Sequence, residues 1–162
     1  MASEVQITFR KAQPGDENFL RLVYASTRAA ELALVPHWSE DQKSSFVSQQ
    51  FEAQDTHYKL VYPDAEYLII NIDSDAAGRL YVHYAPKDIR IIDIALLDDF
   101  RGQGYGSRIL KDILQNAQSS GKTVSIHVEK INPALGLYQK LGFQIIEDTH
   151  GLYYLMKWHP VE

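Results

Sequence analysis

The sequence predicts an α/β domain built on one mixed, twisted sheet of six or seven strands with helices on both faces. Three observations predict it. Short segments alternate apolar and polar residues with the two-residue period of a half-buried strand. Other stretches, longer and placed between them, repeat their apolar residues at helical spacing. One segment, Ile89 to Leu97, is almost continuously apolar, with only Asp93 breaking the run from Ile91, as expected of a strand covered on both faces.

Val5 to Arg10 alternates and reads as the first strand, broken by Pro14-Gly15-Asp16. From Asp16, residues Phe19, Leu20, Val23, Ala30 and Leu34 follow a helical stripe that ends near Val35-Pro36. A second helix opens at Ser39, whose hydroxyl can cap free amides while Glu40 and Asp41 suit the positive helix end, and it runs to about Thr56. Tyr67 to Ile72 and Gly78 to Tyr84 flank the turn cluster Asp73-Ser74-Asp75 and read as a hairpin. After the apolar strand come the glycine loop Arg101 to Ser107 and a helix with Ile109, Leu110, Ile113, Leu114 and Ala117 on one face, stopped by Gly121. Thr123 to Val128 is a strand, Pro133 to Lys140 a short helix, and Phe143 to Ile146 and Leu152 to Trp158 are the last strands. The second half therefore runs β-β-β-α-β-α-β-β.

Composition narrows the chemistry. The 162 residues suit a single domain, 1–162, and the 45% apolar and 23% charged content is that of an ordinary globular chain. A net charge of −5 without a Lys/Arg cluster argues against nucleic-acid or anionic-membrane partners, and no apolar stretch approaches the ~18 residues of a membrane helix. Met1 to Gln6 has neither a basic nor an apolar leader segment, so the expectation is a cytoplasmic protein, monomer or homodimer, acting on a small-molecule or peptide substrate. With no cysteine, a thiolate metal site and a cysteine nucleophile are both excluded, and no metal is expected.

Three glycines between a buried strand and a helix start bring backbone amides to a ligand with no Cβ in the way, and the helix end adds about half a positive charge. Gly102, Gly104 and Gly106 thus form a candidate anion site; the alternative is a tight strand-to-helix turn. Their spacing by two does not fit the dinucleotide fingerprint, and Gly106 is followed by Ser107-Arg108 rather than the Lys-Ser/Thr of a phosphate loop.

Ile94-Ala95-Leu96 leading into Arg101-x-x-Gly104-x-Gly106 resembles the acyl-CoA pyrophosphate loop of the GCN5-related N-acetyltransferases, with the pattern Arg/Gln-x-x-Gly-x-Gly/Ala. About thirty residues later, Asn132-Pro133-Ala134-Leu135-Gly136-Leu137-Tyr138-Gln139-Lys140-Leu141-Gly142-Phe143 resembles that family's second motif. The resemblance implies an acetyl-CoA-dependent N-acetyltransferase of the family's fold, with a splay between the fourth and fifth strands and a CoA-binding core at about 89–143. It implies acetyl-CoA as co-substrate, its pyrophosphate on the loop amides of Gly102, Gln103, Gly104, Tyr105, Gly106 and Ser107, with Arg101 also a cofactor-binding residue. The pantetheine arm would pair with Ile94, Ala95 and Leu96 as an added strand, with Asn132 and Ala134 nearby. An amide of Ala95 or Leu96 would stabilise the thioester oxygen as charge develops there.

In that frame Tyr138 is the candidate general acid for the departing thiolate, against the alternative that Leu137, Tyr138 and Leu141 form a core stripe. An attacking amine must lose a proton; Asp93 and His127 are the candidate acceptors, although family members often carry a carboxylate where His127 stands. Ordinary structural roles, with Asp93 paired to Arg90, remain open for both. For the acceptor site that the resemblance implies, Glu31, Trp38, Tyr81, Tyr84 and Tyr153, with His37 and Tyr154, would favour a cationic amine, against the alternative that they are only a scattered, half-buried strand set. The leading expectation is direct acetyl transfer to a primary amine in a ternary complex. A noncatalytic acyl-CoA-binding module is the alternative from another class, and transfer of a longer acyl chain a third.

Overall fold

A computed structural model of the protein describes residues 4–162; Met1, Ala2 and Ser3, part of the segment inspected for a leader, lie outside the described residues. In chain order the elements are β1 (Ile7–Lys11), α1 (Glu17–Thr27), α2 (Ala29–Leu32), α3 (Glu40–Val61), β2 (Glu66–Ile72), β3 (Asp75–Tyr84) and β4 (Asp88–Leu96). These are followed by α4 (Tyr105–Ser120), β5 (Thr123–Glu129), α5 (Leu135–Lys140), β6 (Gln144–Thr149) and β7 (Tyr153–Trp158). Short 3-10 turns occupy Pro14–Asp16 and Asp98–Phe100. The described strands form one seven-stranded mixed sheet in the order β1, β2, β3, β4, β5, β7, β6. The chain divides into two compact units, one running to Leu80 and including Ile94–Arg101, the other made of Tyr81–Asp93 and Gly102–Glu162.

In the first unit, β1 pairs antiparallel with β2, Ile7 opposite Ile72 and Lys11 opposite Leu68. The core is built by Leu20 and Tyr24 of α1, Val47 and Phe51 of α3, and Ile69 of β2. Tyr24 and Phe51 meet with ring centroids 6.1 Å apart. The helical stripe expected to run to Leu34 is interrupted: Arg28 leaves helical geometry at φ −107°, ψ 7°, and α2 starts afresh beyond it. α3 starts where its cap predicted, with Ser39 Oγ accepting from the Gln42 N–H and Gln42 Oε1 accepting from the Ser39 N–H. It runs five residues past the expected end, and Lys59 pairs with Asp55 in its last turn. Thr56 to Val61 lack an apolar stripe, so periodicity could not mark that extension.

In the second unit, β4 and β5 form a parallel ladder from Asp88 opposite Thr123 to Ile91 opposite Ile126. β5 pairs antiparallel with β7, and β7 with β6, where the register shifts between Ile145 and Glu147. α4 packs on β5 and buries Ile109, Leu110, Leu114 and Ala117, and Gly121 closes it in the left-handed region at φ 68°. β4 is not buried throughout as its apolar run predicted. Ile89 and Ile91 are buried, while Asp88 and Arg90 on the other face turn to polar partners on β5: Thr123 and Ser125 for Asp88, His127 for Arg90.

Candidate active site

The last residues of β4 are held tightly within the first unit. A Cβ at Gly78 would lie 2.1 Å from the Ala95 carbonyl oxygen, so only glycine lets β3 approach β4 this closely. The Leu97 N–H then donates to the Ala77 carbonyl at 2.8 Å. Arg101 closes the following 3-10 turn. Its backbone N–H donates to the Asp98 carbonyl, its Nε to the Leu96 carbonyl at 2.7 Å, and its Nη2 to Ser26 Oγ on α1 at 3.3 Å. Its Nη1 meets Asp98 Oδ1 at 2.6 Å. Ser26, Leu97 and Asp98 also border an open hollow of about 410 Å³ with Leu22, Ala25 and Asp99.

Beyond Arg101, in the second unit, the glycine loop turns into α4. Gly102 and Gly104 hold φ 72° and 84°, the left-handed region that costs a side-chain-bearing residue about 1 to 2 kcal/mol, and no atom lies within 4 Å of where their Cβ atoms would be. α4 begins without a side-chain cap and without an acidic residue in its first turn. α3, by contrast, has both Ser39 as cap and Glu40 and Asp41 in its first turn. An exposed loop and a bare helix start with no carboxylate in its first turn suit a diphosphate, so these residues fit the anionic end of acetyl-CoA. Gln103 is exposed, and Tyr105, Gly106 and Ser107 are half-buried in the first turn. Asn132 does not cap α5 directly. Its Oδ1 accepts from the Ala134 N–H at 2.8 Å, a local turn that sets the helix start at Ala134.

Tyr138 on α5 is 4% exposed and packs edge-on against Phe143, ring centroids 5.6 Å apart. Burial raises its phenol pKa well above the ordinary value, and the Asp93 carboxylate adds to the rise. The proton is therefore held firmly. Tyr138 and Asp93 are thus electrostatic neighbours in one unit.

His127 is elsewhere. Along β4, Asp93 shares the face of Ile89 and Ile91, whereas His127 on β5 shares that of Ser125 and contacts the Arg90 guanidinium through Nδ1. Partial burial and the Arg90 charge lower its pKa below the ordinary value, against a smaller opposing effect of Glu147. The two candidate proton acceptors are on opposite faces of the sheet. Arg90, expected as a possible partner of Asp93, is turned to His127.

The residues expected at the acceptor side belong to both units. In the first unit Glu31 is tied to Arg28 at 2.7 Å, Trp38 packs on Phe46, and His37 is exposed. In the second, Tyr81 is buried, Tyr84 is 45% exposed, Tyr153 stands opposite Glu129 in the β5–β7 ladder, and Tyr154 lies beneath the Lys130 ammonium. Sequence reasoning missed Gly78 and Arg79. An isolated glycine inside an alternating strand was the available sign of a close backbone approach. Arg79 is only 1% exposed, with Nη2 donating to Gln54 Oε1 at 2.8 Å and its guanidinium over the Tyr24 ring.

Comparison with known proteins places this geometry in a family. The model of the acetyltransferase (GNAT) family matches residues 32–143. A Bacillus subtilis (strain 168) protein provisionally named ribosomal protein bS18-alanine N-acetyltransferase is 31% identical over 122 residues, covering 74% of this chain and 81% of that protein. Among solved structures, the PaiA N-acetyltransferase of Thermoplasma acidophilum in complex with coenzyme A aligns with a TM-score of 0.67 at 19% identity, over 95% of this chain and 99% of that one. The ribosomal-protein-S18-alanine N-acetyltransferase of Escherichia coli aligns at 0.60 and 18% identity, over 97% and 96%. The chain therefore belongs to the GNAT family of acetyltransferases.

Proposed function

We propose that the protein transfers an acetyl group from acetyl-CoA to a primary amine by direct attack in a ternary complex, and that the first acceptor to test is the α-amino group of a polypeptide. The observation that carries the activity is the bare start of α4 behind two left-handed glycines, in a chain of this family. The peptide acceptor is supported by the B. subtilis relative, which is named for an alanine of a ribosomal protein.

Bound acetyl-CoA supplies an acetyl group activated as a thioester. The amides of residues 102–107 would bind its diphosphate without a metal ion. The backbone of Ile94, Ala95 and Leu96 would take the pantetheine amides as a neighbouring strand, and the β4–β5 ladder stopping at Ile91 and Ile126 supports that reading. Tyr138 holds a proton that burial and Asp93 keep on the phenol, ready for a departing thiolate. Asp93, on the face of Ile89 and Ile91 and felt electrostatically at Tyr138, is preferred to His127 as the group that receives the amine proton. The proposal takes residues 1–162 as one acyltransferase domain working in the cytoplasm. Among the described residues no helix is long and apolar enough to cross a membrane.

The test is calorimetry with coenzyme A, followed by a free-thiol assay with acetyl-CoA and an amine panel. A peptide with N-terminal alanine should release thiol and the same peptide with a blocked N-terminus should not; polyamines and aminoglycosides complete the panel. Heat on adding coenzyme A with no thiol release above hydrolysis for any amine would favour the binding module. No heat would overturn the proposal.

A further inference from the structure

We infer that Arg101 is a positioning residue that locks the end of β4 to α1, rather than a ligand of the coenzyme A phosphates; the inference rests on the acetyl-transfer reading above. The guanidinium is planar and carries five N–H donors in a fixed fork. In the first unit three of them are committed: Nε to the Leu96 carbonyl at 2.7 Å, Nη2 to Ser26 Oγ at 3.3 Å and Nη1 to Asp98 Oδ1 at 2.6 Å. Ser26 can accept because its own hydroxyl proton is given to the Val23 carbonyl at 2.7 Å, inside α1. The positive charge is already met by Asp98, and a second carboxylate, Asp99, follows directly in the chain.

The Asp98 pair is solvent-exposed and contributes at most about 1 kcal/mol. The bonds to Leu96 and Ser26 matter more, because they fix a backbone carbonyl of the strand end to a helix. Leu96 is otherwise followed by Leu97, whose N–H is held by Ala77, and preceded by Ala95, pressed on Gly78. Arg101 is also the residue immediately before Gly102. One side chain therefore fixes where the strand stops, on the segment Ile94 to Leu96 proposed to hold the pantetheine amides. Displacement of a reacting group by about 1 Å can cost about a hundredfold in rate.

The experiment compares Arg101→Gln, Arg101→Lys and Ser26→Ala with the wild-type chain by coenzyme A calorimetry, steady-state kinetics and amide exchange without ligand. For Arg101→Gln the expected result is a coenzyme A Kd within about threefold of wild type, a kcat lower by about tenfold to a hundredfold, and faster exchange at the Leu97 amide. Ser26→Ala should move kcat and exchange in the same direction by less. Arg101→Lys should not restore kcat, since an ammonium is a point charge without the fork. A coenzyme A Kd weakened about tenfold or more in Arg101→Gln and restored in Arg101→Lys would identify a phosphate ligand and overturn the inference. Unaltered exchange at Leu97 would overturn it as well. Absence of coenzyme A heat with the wild-type chain is a separate failure, that of the acetyl-transfer reading, and the exchange measurement distinguishes the two because it needs no ligand.

Discussion

The carbonyl oxygen of Ala95 stands 2.1 Å from where a β-carbon at position 78 would be, so Gly78 and Ala95 are in a contact that no other residue pair of this kind could make. The atom in the way is backbone and cannot rotate aside. Gly78→Ala should therefore push β4 away from β3 and lower stability by about 1 to 3 kcal/mol. Gly15→Ala, where nothing lies within 4 Å, is the control and should leave the urea midpoint nearly unchanged. Equal midpoints for the two variants would contradict the contact.

Gly104 has open space around its missing side chain, so a substitution there tests ligand binding more than packing. Gly104→Val at φ 84° should cost about 1 to 2 kcal/mol from backbone strain and still fold. Its coenzyme A affinity should fall at least about tenfold, or 1.4 kcal/mol, because branched carbon would occupy the place proposed for the diphosphate. A folded variant with wild-type affinity would remove the loop from the proposal.

For Tyr138→Phe the ring keeps its edge-on contact with Phe143 while the hydroxyl is lost. Stability and coenzyme A affinity should change little, and kcat should fall about a hundredfold if the phenol is the proton donor. Unchanged turnover on a competent amine would leave Tyr138 as core packing only. Because burial and Asp93 hold the phenol proton, loss of activity from Tyr138 ionisation should not begin near its ordinary pKa of about 10 but above it.

His127 should titrate below its ordinary value of about 6.5, since partial burial and Arg90 favour the neutral ring. The sign follows for folding: the unfolded chain takes up this proton first as pH falls. The neutral form thus contributes stability fully above about pH 6.5, and that contribution is lost as pH drops toward the folded value. NMR of the imidazole should show the low midpoint, and Arg90→Gln should raise it. A limb of the pH–rate profile that disappears in His127→Gln, with Asp93→Asn near wild type, would reassign the proton acceptor to His127.

Much of the backbone of the candidate site was legible in the residues. Glycines at 102 and 104 mark left-handed positions, Ser39 marks a helix start, Gly121 a helix end, and each works through local sterics or a bond within four residues. The second motif likewise announces α5 and Tyr138. What escaped were the break at Arg28, which interrupts a stripe that still looks helical, and the added turns of α3.

Local chemistry in the sequence was enough to determine most of the succession of strands and helices and the loop that turns into α4, and the resemblance of two motifs pointed to the family to which the chain belongs. Only the folded structure decided which face each strand residue takes, and so that Asp93 acts on Tyr138 while His127 answers to Arg90. It also decided that the Arg101 side chain is spent on Leu96 and Ser26, and that Gly78 lies under Ala95. The physical reason is separation along the chain. Alternation says that neighbouring side chains part, but which partner they meet depends on register with strands and helices many residues away.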